Sequence, residues 1–161
     1  MKNILVPTDL SIRSLSFLHN LAELRPQPAN IVLMHAMKLP DSIVDFWAFT
    51  RTGRQHAVIT DGFREACEVM KNRYAQAFHS LEVEFFYGST TPALRNFLRA
   101  HRITEVALPE NYRYQCGCDN SFDPERLLRS CKTPVLGLNM SRHRQVVTAP
   151  PSISELLGVI H

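Results

Sequence analysis

The chain predicts a doubly wound α/β domain, a five-stranded parallel sheet with helices on both faces. Two observations carry that prediction. Short apolar runs alternate with segments of helical periodicity from end to end, the signature of βαβ units. The apolar runs are also continuous rather than alternating, so their strands need cover on both faces, as parallel sheets do.

The elements follow in order. Asn3-Ile4-Leu5-Val6-Pro7-Thr8 is a buried strand ended by proline. Ser11 then caps a helix reaching about Leu24, with Leu15, Leu18 and Ala22 at helical spacing, and Arg25-Pro26-Gln27-Pro28 stops it. Asn30 to Met37 is the second strand. A long connection from Leu39 to Ile59 leads into an amphipathic helix in which Ile59, Phe63, Ala66, Cys67, Met70, Tyr74, Ala77 and Phe78 share a face. Leu81 to Tyr87 is the third strand, closed by Gly88. Thr91-Pro92 reads as a cap with proline at the first helical position, and Leu94, Phe97 and Leu98 form that helix's buried stripe. Glu105 to Pro109 is the fourth strand, Asp123-Pro124 opens a short helix through Leu127, Leu128 and Cys131, and Pro134 to Leu138 is the fifth strand. The stretch from Glu110 to Phe122 has no periodicity. Any ligand of such a sheet sits beyond the carboxyl ends of its strands.

Composition narrows the function classes. With 161 residues, 45% of them hydrophobic and 20% charged, the chain suits one domain with an ordinary core. A formal charge of +3, with its tightest basic groups at Arg51/Arg54, Lys71/Arg73 and Arg142/Arg144, argues against nucleic acid as a partner. No run approaches the roughly 20 apolar residues of a membrane span, and no secretory leader is visible, so a cytoplasmic protein is expected. Four cysteines (Cys67, Cys116, Cys118, Cys131) fit reduced thiols better than a disulfide framework.

The opening Ile4-Leu5-Val6-Pro7-Thr8-Asp9-Leu10-Ser11 resembles the universal stress protein family. Ile31 to Ala36 is similar to that family's second strand, Tyr87-Gly88-Ser89-Thr90-Thr91-Pro92 to the turn after its third, and Leu127 to Leu136 to its last helix, turn and strand. The resemblance covers residues 1–140 and leaves 141–161 as a tail. It implies strand order 3-2-1-4-5 and homodimerisation, often through the last strand. It also implies nucleotide-contact positions at Thr8, Asp9 and Ala36, Asp9 meeting the ribose.

ATP-binding members carry Gly-x-x-Gly, nine residues, then Gly-Ser or Gly-Thr after the fourth strand. Here those glycines fall at Glu110, Arg113 and Ser121, and the stretch between is two residues short. Phosphate cradles need glycine where backbone amides approach the ligand, so no cofactor is expected and ATP binding is argued against. Asp9 reads equally as a turn or capping aspartate before Ser11.

No catalytic motif is recognisable. The histidines form no zinc pair, and neither a nucleophile elbow nor a dinucleotide loop is present. Cys116-Gly117-Cys118 offers two thiols without a second ligand pair, and reads as loop thiols with metal or redox chemistry as the alternative. Phe46, Trp47 and Phe49 must either fold onto the core or meet a protein partner. In the tail, Ser152 to Glu155 is a capping box before Leu156, Leu157, Val159 and Ile160, a short helix that needs a surface to pack on. The expectation is a non-enzymatic, homodimeric, stress-protein-like module acting through protein contacts in stress response or signalling. The alternatives are a small-ligand or nucleotide-binding protein using Thr8, Asp9, Ala36 and Arg113 in the crevice, and a weak nucleotide hydrolase.

Overall fold

The structure, a computed structural model, describes residues 1–39, 42–44, 47–48, 58–116 and 120–139. Five parallel strands lie in the order β3-β2-β1-β4-β5. They are β1 (Lys2–Pro7), β2 (Ala29–Met37), β3 (Phe78–Tyr87), β4 (Glu105–Pro109) and β5 (Val135–Leu138).

The central strand explains the layering. Ile4 and Val6 point to one face, where a 3-10 helix (Ile12–Ser16), α1 (Phe17–Leu24) and α2 (Asp61–Arg73) bury Leu15, Phe17, Leu18, Phe63 and Met70 against them. Leu5 points to the other, joining Leu94 and Leu98 of α3 (Thr91–Ala100) and Leu128 of α4 (Glu125–Ser130). A strand covered on both faces keeps every residue apolar, which is why its sequence does not alternate.

Four boundaries differ from the sequence reading. The segment after Ser11 is not one helix: Ser11 accepts the Ser14 amide at the head of the 3-10 turn, and α1 begins only at Phe17. The helix read from Ile59 to Phe78 runs from Asp61 to Arg73, behind a Thr60 cap. Its apolar end is claimed by the sheet, because the Ala77 carbonyl accepts the Ala29 amide and Phe78 pairs with Ala29. In α3 the cap is Thr90, which accepts the Ala93 amide, placing Pro92 one position further in. In α4, Pro124 occupies the cap position while the Asp123 carboxylate accepts the Glu125 amide.

Phe46, Phe49, Cys118 and the tail helix lie outside the described residues. Trp47 is 62% exposed, on a segment where Ile43 and Val44 are exposed too. No described helix is long and apolar enough to cross a membrane.

Candidate functional site

The carboxyl ends of β1 and β2 are where a ligand of this topology would rest. Pro7 ends β1, and Thr8-Asp9-Leu10-Ser11 turns back toward the 3-10 helix. Leu10 adopts φ 64°, a left-handed conformation costing a non-glycine residue about 1–2 kcal/mol. Burying its side chain in the core offsets that by a similar or larger amount, about 1.5–3 kcal/mol. The turn directs the Leu10 amide to Thr8 Oγ1 at 3.1 Å, while the Thr8 hydroxyl meets Ser14 Oγ at 2.6 Å.

The same turn inserts Asp9 into the protein, where it is 4% exposed. A buried carboxylate without partners costs several kcal/mol. This one is fully served by its own chain. Oδ1 accepts the Ser11 amide at 3.0 Å and the Ser11 hydroxyl; Oδ2 accepts the Tyr112 hydroxyl at 2.6 Å and the Gln115 amide at 2.9 Å.

Tyr112 and Tyr114 are the residues sequence reasoning missed. In an extended loop, residues two apart face the same side. Both tyrosines accordingly turn inward and Arg113 between them is exposed. Tyr112 packs edge-on against Phe17 with ring centroids 5.3 Å apart. Tyr114 donates its hydroxyl to the Thr8 carbonyl at 2.6 Å. Burial, with Asp9 alongside, pushes both phenols well above their ordinary range, so both stay protonated donors. A Tyr-x-Tyr repeat inside a loop without other periodicity is the signal that could have found them.

His35, at the end of β2, completes the arrangement. Its Nδ1 lies 2.9 Å from the Thr8 carbonyl and its Nε2 2.7 Å from Ser121 Oγ. A carbonyl only accepts, so the neutral ring carries its proton on Nδ1 and accepts the Ser121 hydroxyl at Nε2. Burial lowers its pKa, against the opposing pull of the Thr8 carbonyl and Asp9. The loop is further tied to β2 by the Phe122 amide on the Ala36 carbonyl and the Lys38 amide on the Asn120 carbonyl.

A void of about 20 Å³ lies between Pro7, Leu108, Pro109, Tyr112, Tyr114, Asp123 and Glu125. That admits about one water, whereas small-ligand sites run to roughly 300–1,000 Å³. Thr8 and Asp9 follow β1 and Ala36 lies near the end of the neighbouring β2, and all three are buried. Arg113 is not among them. Glu110 does not enter the crevice either: its amide bonds to the Leu138 carbonyl, and its side chain lies over Gly137 so closely that an added Cβ there would strike the carboxylate. Cys67 is held as a thiol, its pKa pushed up to about 12 by burial. Among the described residues no group of three or more His, Cys, Asp or Glu side chains could hold a metal.

No protein-family profile matches the chain, and no curated protein matches it. Solved structures do. The hypothetical protein PH0823 is 15% identical with a TM-score of 0.55, over 86% of this chain and 95% of that one. The hypothetical protein MJ0577 is 14% identical with a TM-score of 0.55, over 86% and 95%. The universal stress protein UspA from Lactobacillus plantarum is 15% identical with a TM-score of 0.52, over 85% and 97%. The chain therefore has the universal stress protein fold, with the strand order that the resemblance implied.

Proposed function

We propose that this chain is a universal-stress-protein-like module whose nucleotide crevice is closed by its own tyrosines, and that it acts without catalysis through protein contacts, as a homodimer in stress response or signalling. The single observation that carries the reading is the state of Asp9. All four of its donors are internal, two of them from the 112–115 segment that fills the crevice. A ribose hydroxyl would exchange one neutral donor for another on Oδ2 while pushing two half-buried tyrosines further into water. That exchange returns no free energy to offset the exposure.

Contact surfaces support the other half of the reading. β5 forms one edge of the sheet, and Val135 on it is 42% exposed. An unpaired edge is a template for a second strand. The exposed Ile43, Val44 and Trp47 supply apolar area of the kind that protein interfaces use.

Calorimetry with AMP, ADP and ATP, alongside amide chemical shifts of Thr8, Asp9 and Gln115, tests the closed crevice. No shift at these amides is expected. Micromolar binding that moves them would reject it. Light scattering on the full chain tests the dimer: a monomer at tens of micromolar would remove that part of the reading.

A further inference from the structure

A second cavity lies at the opposite end of the sheet. A groove of about 500 Å³ opens between α3 and the turn from α4 into β5, with Arg95, Arg99, Arg102 and Lys132 around a floor of Leu98 and Ile103. Arg102 and Ile103 precede β4, and Lys132 precedes β5, so the groove sits at the amino ends of those strands, away from Asp9.

The sequence brings these cations together in a way that linear clustering does not reveal. Arg95 and Arg99 are four apart on α3 and share a face. Lys132 arrives from a different element. The lining residues include four cations and no carboxylate. All four are exposed, and none forms an ion pair among the described residues, in contrast to Arg25, Arg64 and Arg129.

The helix end adds an independent observation. The Arg102 amide bonds to the Arg99 carbonyl at 3.1 Å and the Ile103 amide to the Leu98 carbonyl at 2.8 Å, which is a Schellman closure with Arg102 at its left-handed position, φ 52°. Glycine is the usual residue there because a side chain is strained at that conformation. Here an arginine holds the position, and its side chain lines the groove. Cations near a helix carboxyl end are favoured by its dipole, which accounts for Arg99 and Arg102. It does not account for Arg95, a turn earlier, or for Lys132.

We propose that this groove binds a compact small molecule carrying two or more phosphate groups. Guanidinium forks match phosphate oxygens bidentately, and the ammonium of Lys132 adds a mobile point charge. A single phosphate, with about two negative charges, would leave about half of the four cations unneutralised. The groove's size lies within the small-ligand range, and the chain's net charge of only +3 leaves the basic excess local rather than spread along a face. The Cys131 thiol at the wall is buried, and burial raises its pKa against the opposing pull of Arg95 and Ser130.

The test uses the full chain and inorganic tripolyphosphate, with sulfate and a 20-nucleotide single strand as comparators. Saturable calorimetric binding of tripolyphosphate at submillimolar concentration is expected, weakening as salt is raised and moving the amides of residues 95–103 and 131–133 but not Gln115. Arg99→Ala should weaken it about tenfold, the loss of one charge-assisted contact. Arg102→Gly removes a cation while relieving the left-handed backbone, so it should weaken binding similarly with no loss of thermal stability. Binding no tighter than that of sulfate overturns the proposal. So does binding unaffected by both substitutions. Tighter binding of the oligonucleotide through the same residues would replace it with a nucleic-acid site.

Discussion

At the scale of single residues, the site is governed by how a buried charge is satisfied. Tyr112 supplies one of the four hydrogen bonds to Asp9, and a bond to a charged group contributes about 1.5–3 kcal/mol. Tyr112→Phe should therefore destabilise the fold by about 1.5 kcal/mol, given that the ring's packing on Phe17 survives. Asp9→Ala should cost more, since it removes the acceptor shared by the Tyr112 hydroxyl, the Gln115 amide and the Ser11 amide. Urea midpoints at constant slope measure both; equal losses would mean that Asp9 is held by something other than these donors. His35 gives a pH dependence with a definite sign. Its folded pKa lies below the ordinary 6.5 because burial penalises the charged ring. As pH falls through 6.5 the unfolded chain takes up the proton first, so stability declines from there until the folded pKa is passed, then His35 adds no further loss. Above 6.5 the contribution is fully present. His35→Asn, which retains a donor toward the Thr8 carbonyl, should flatten the stability slope between pH 7 and 5, and an unchanged slope would remove His35 as its source. The tyrosines behind these effects were hidden in the sequence because their partners, Asp9 and Thr8, lie more than a hundred residues away. Arg113 drew attention instead, since charge is visible in a sequence and inward orientation is not.

At the scale of elements, the strands were legible and the helix ends were not, for one reason. Burial on both faces leaves a continuous apolar run that any reading detects, as in Ile4 to Val6. Where a helix stops depends on competition with its neighbours. Tyr74, Ala77 and Phe78 keep helical spacing, yet pairing of Phe78 with Ala29 draws the last of them into β3. The glycines separate in the same way. Gly88 closes β3 at φ 148°, with the space for a Cβ limited to 3.2 Å from Ala93 Cβ. Gly88→Ala should therefore cost about 1–3 kcal/mol, the strain of a conformation reserved for glycine. Gly137 meets only the end of the Glu110 side chain, which is exposed and free to swing aside. Gly137→Ala should change stability by no more than about 0.5 kcal/mol. Thermal melts of the two variants decide between these origins, and equal losses would show that Glu110 is fixed in place.

At the scale of the whole molecule, the fold followed from ordinary patterning, while the way the stretch after β4 is tied to the strand ends did not. The segment after β4 bridges the ends of three strands, through Gln115 and Tyr112 on Asp9, Tyr114 on Thr8 and Phe122 on Ala36, while Glu110 holds β5 through Leu138. A loop tied to the strand ends in this way opens only when several bonds break together, so its stability should approach that of the sheet. Hydrogen exchange reads this directly. Without any ligand, the Gln115 and Phe122 amides should be protected to a degree comparable with the Thr8 amide, which bonds to the Met34 carbonyl inside the sheet. Replacing Tyr112 and Tyr114 together by Phe removes two of the ties, and should accelerate exchange at Gln115 and Phe122 by about tenfold or more while β3 is unaffected. Exchange at the free-peptide rate in the unmodified chain would mean that the crevice stands open for much of the time, and a nucleotide would then compete with the tyrosines on equal terms.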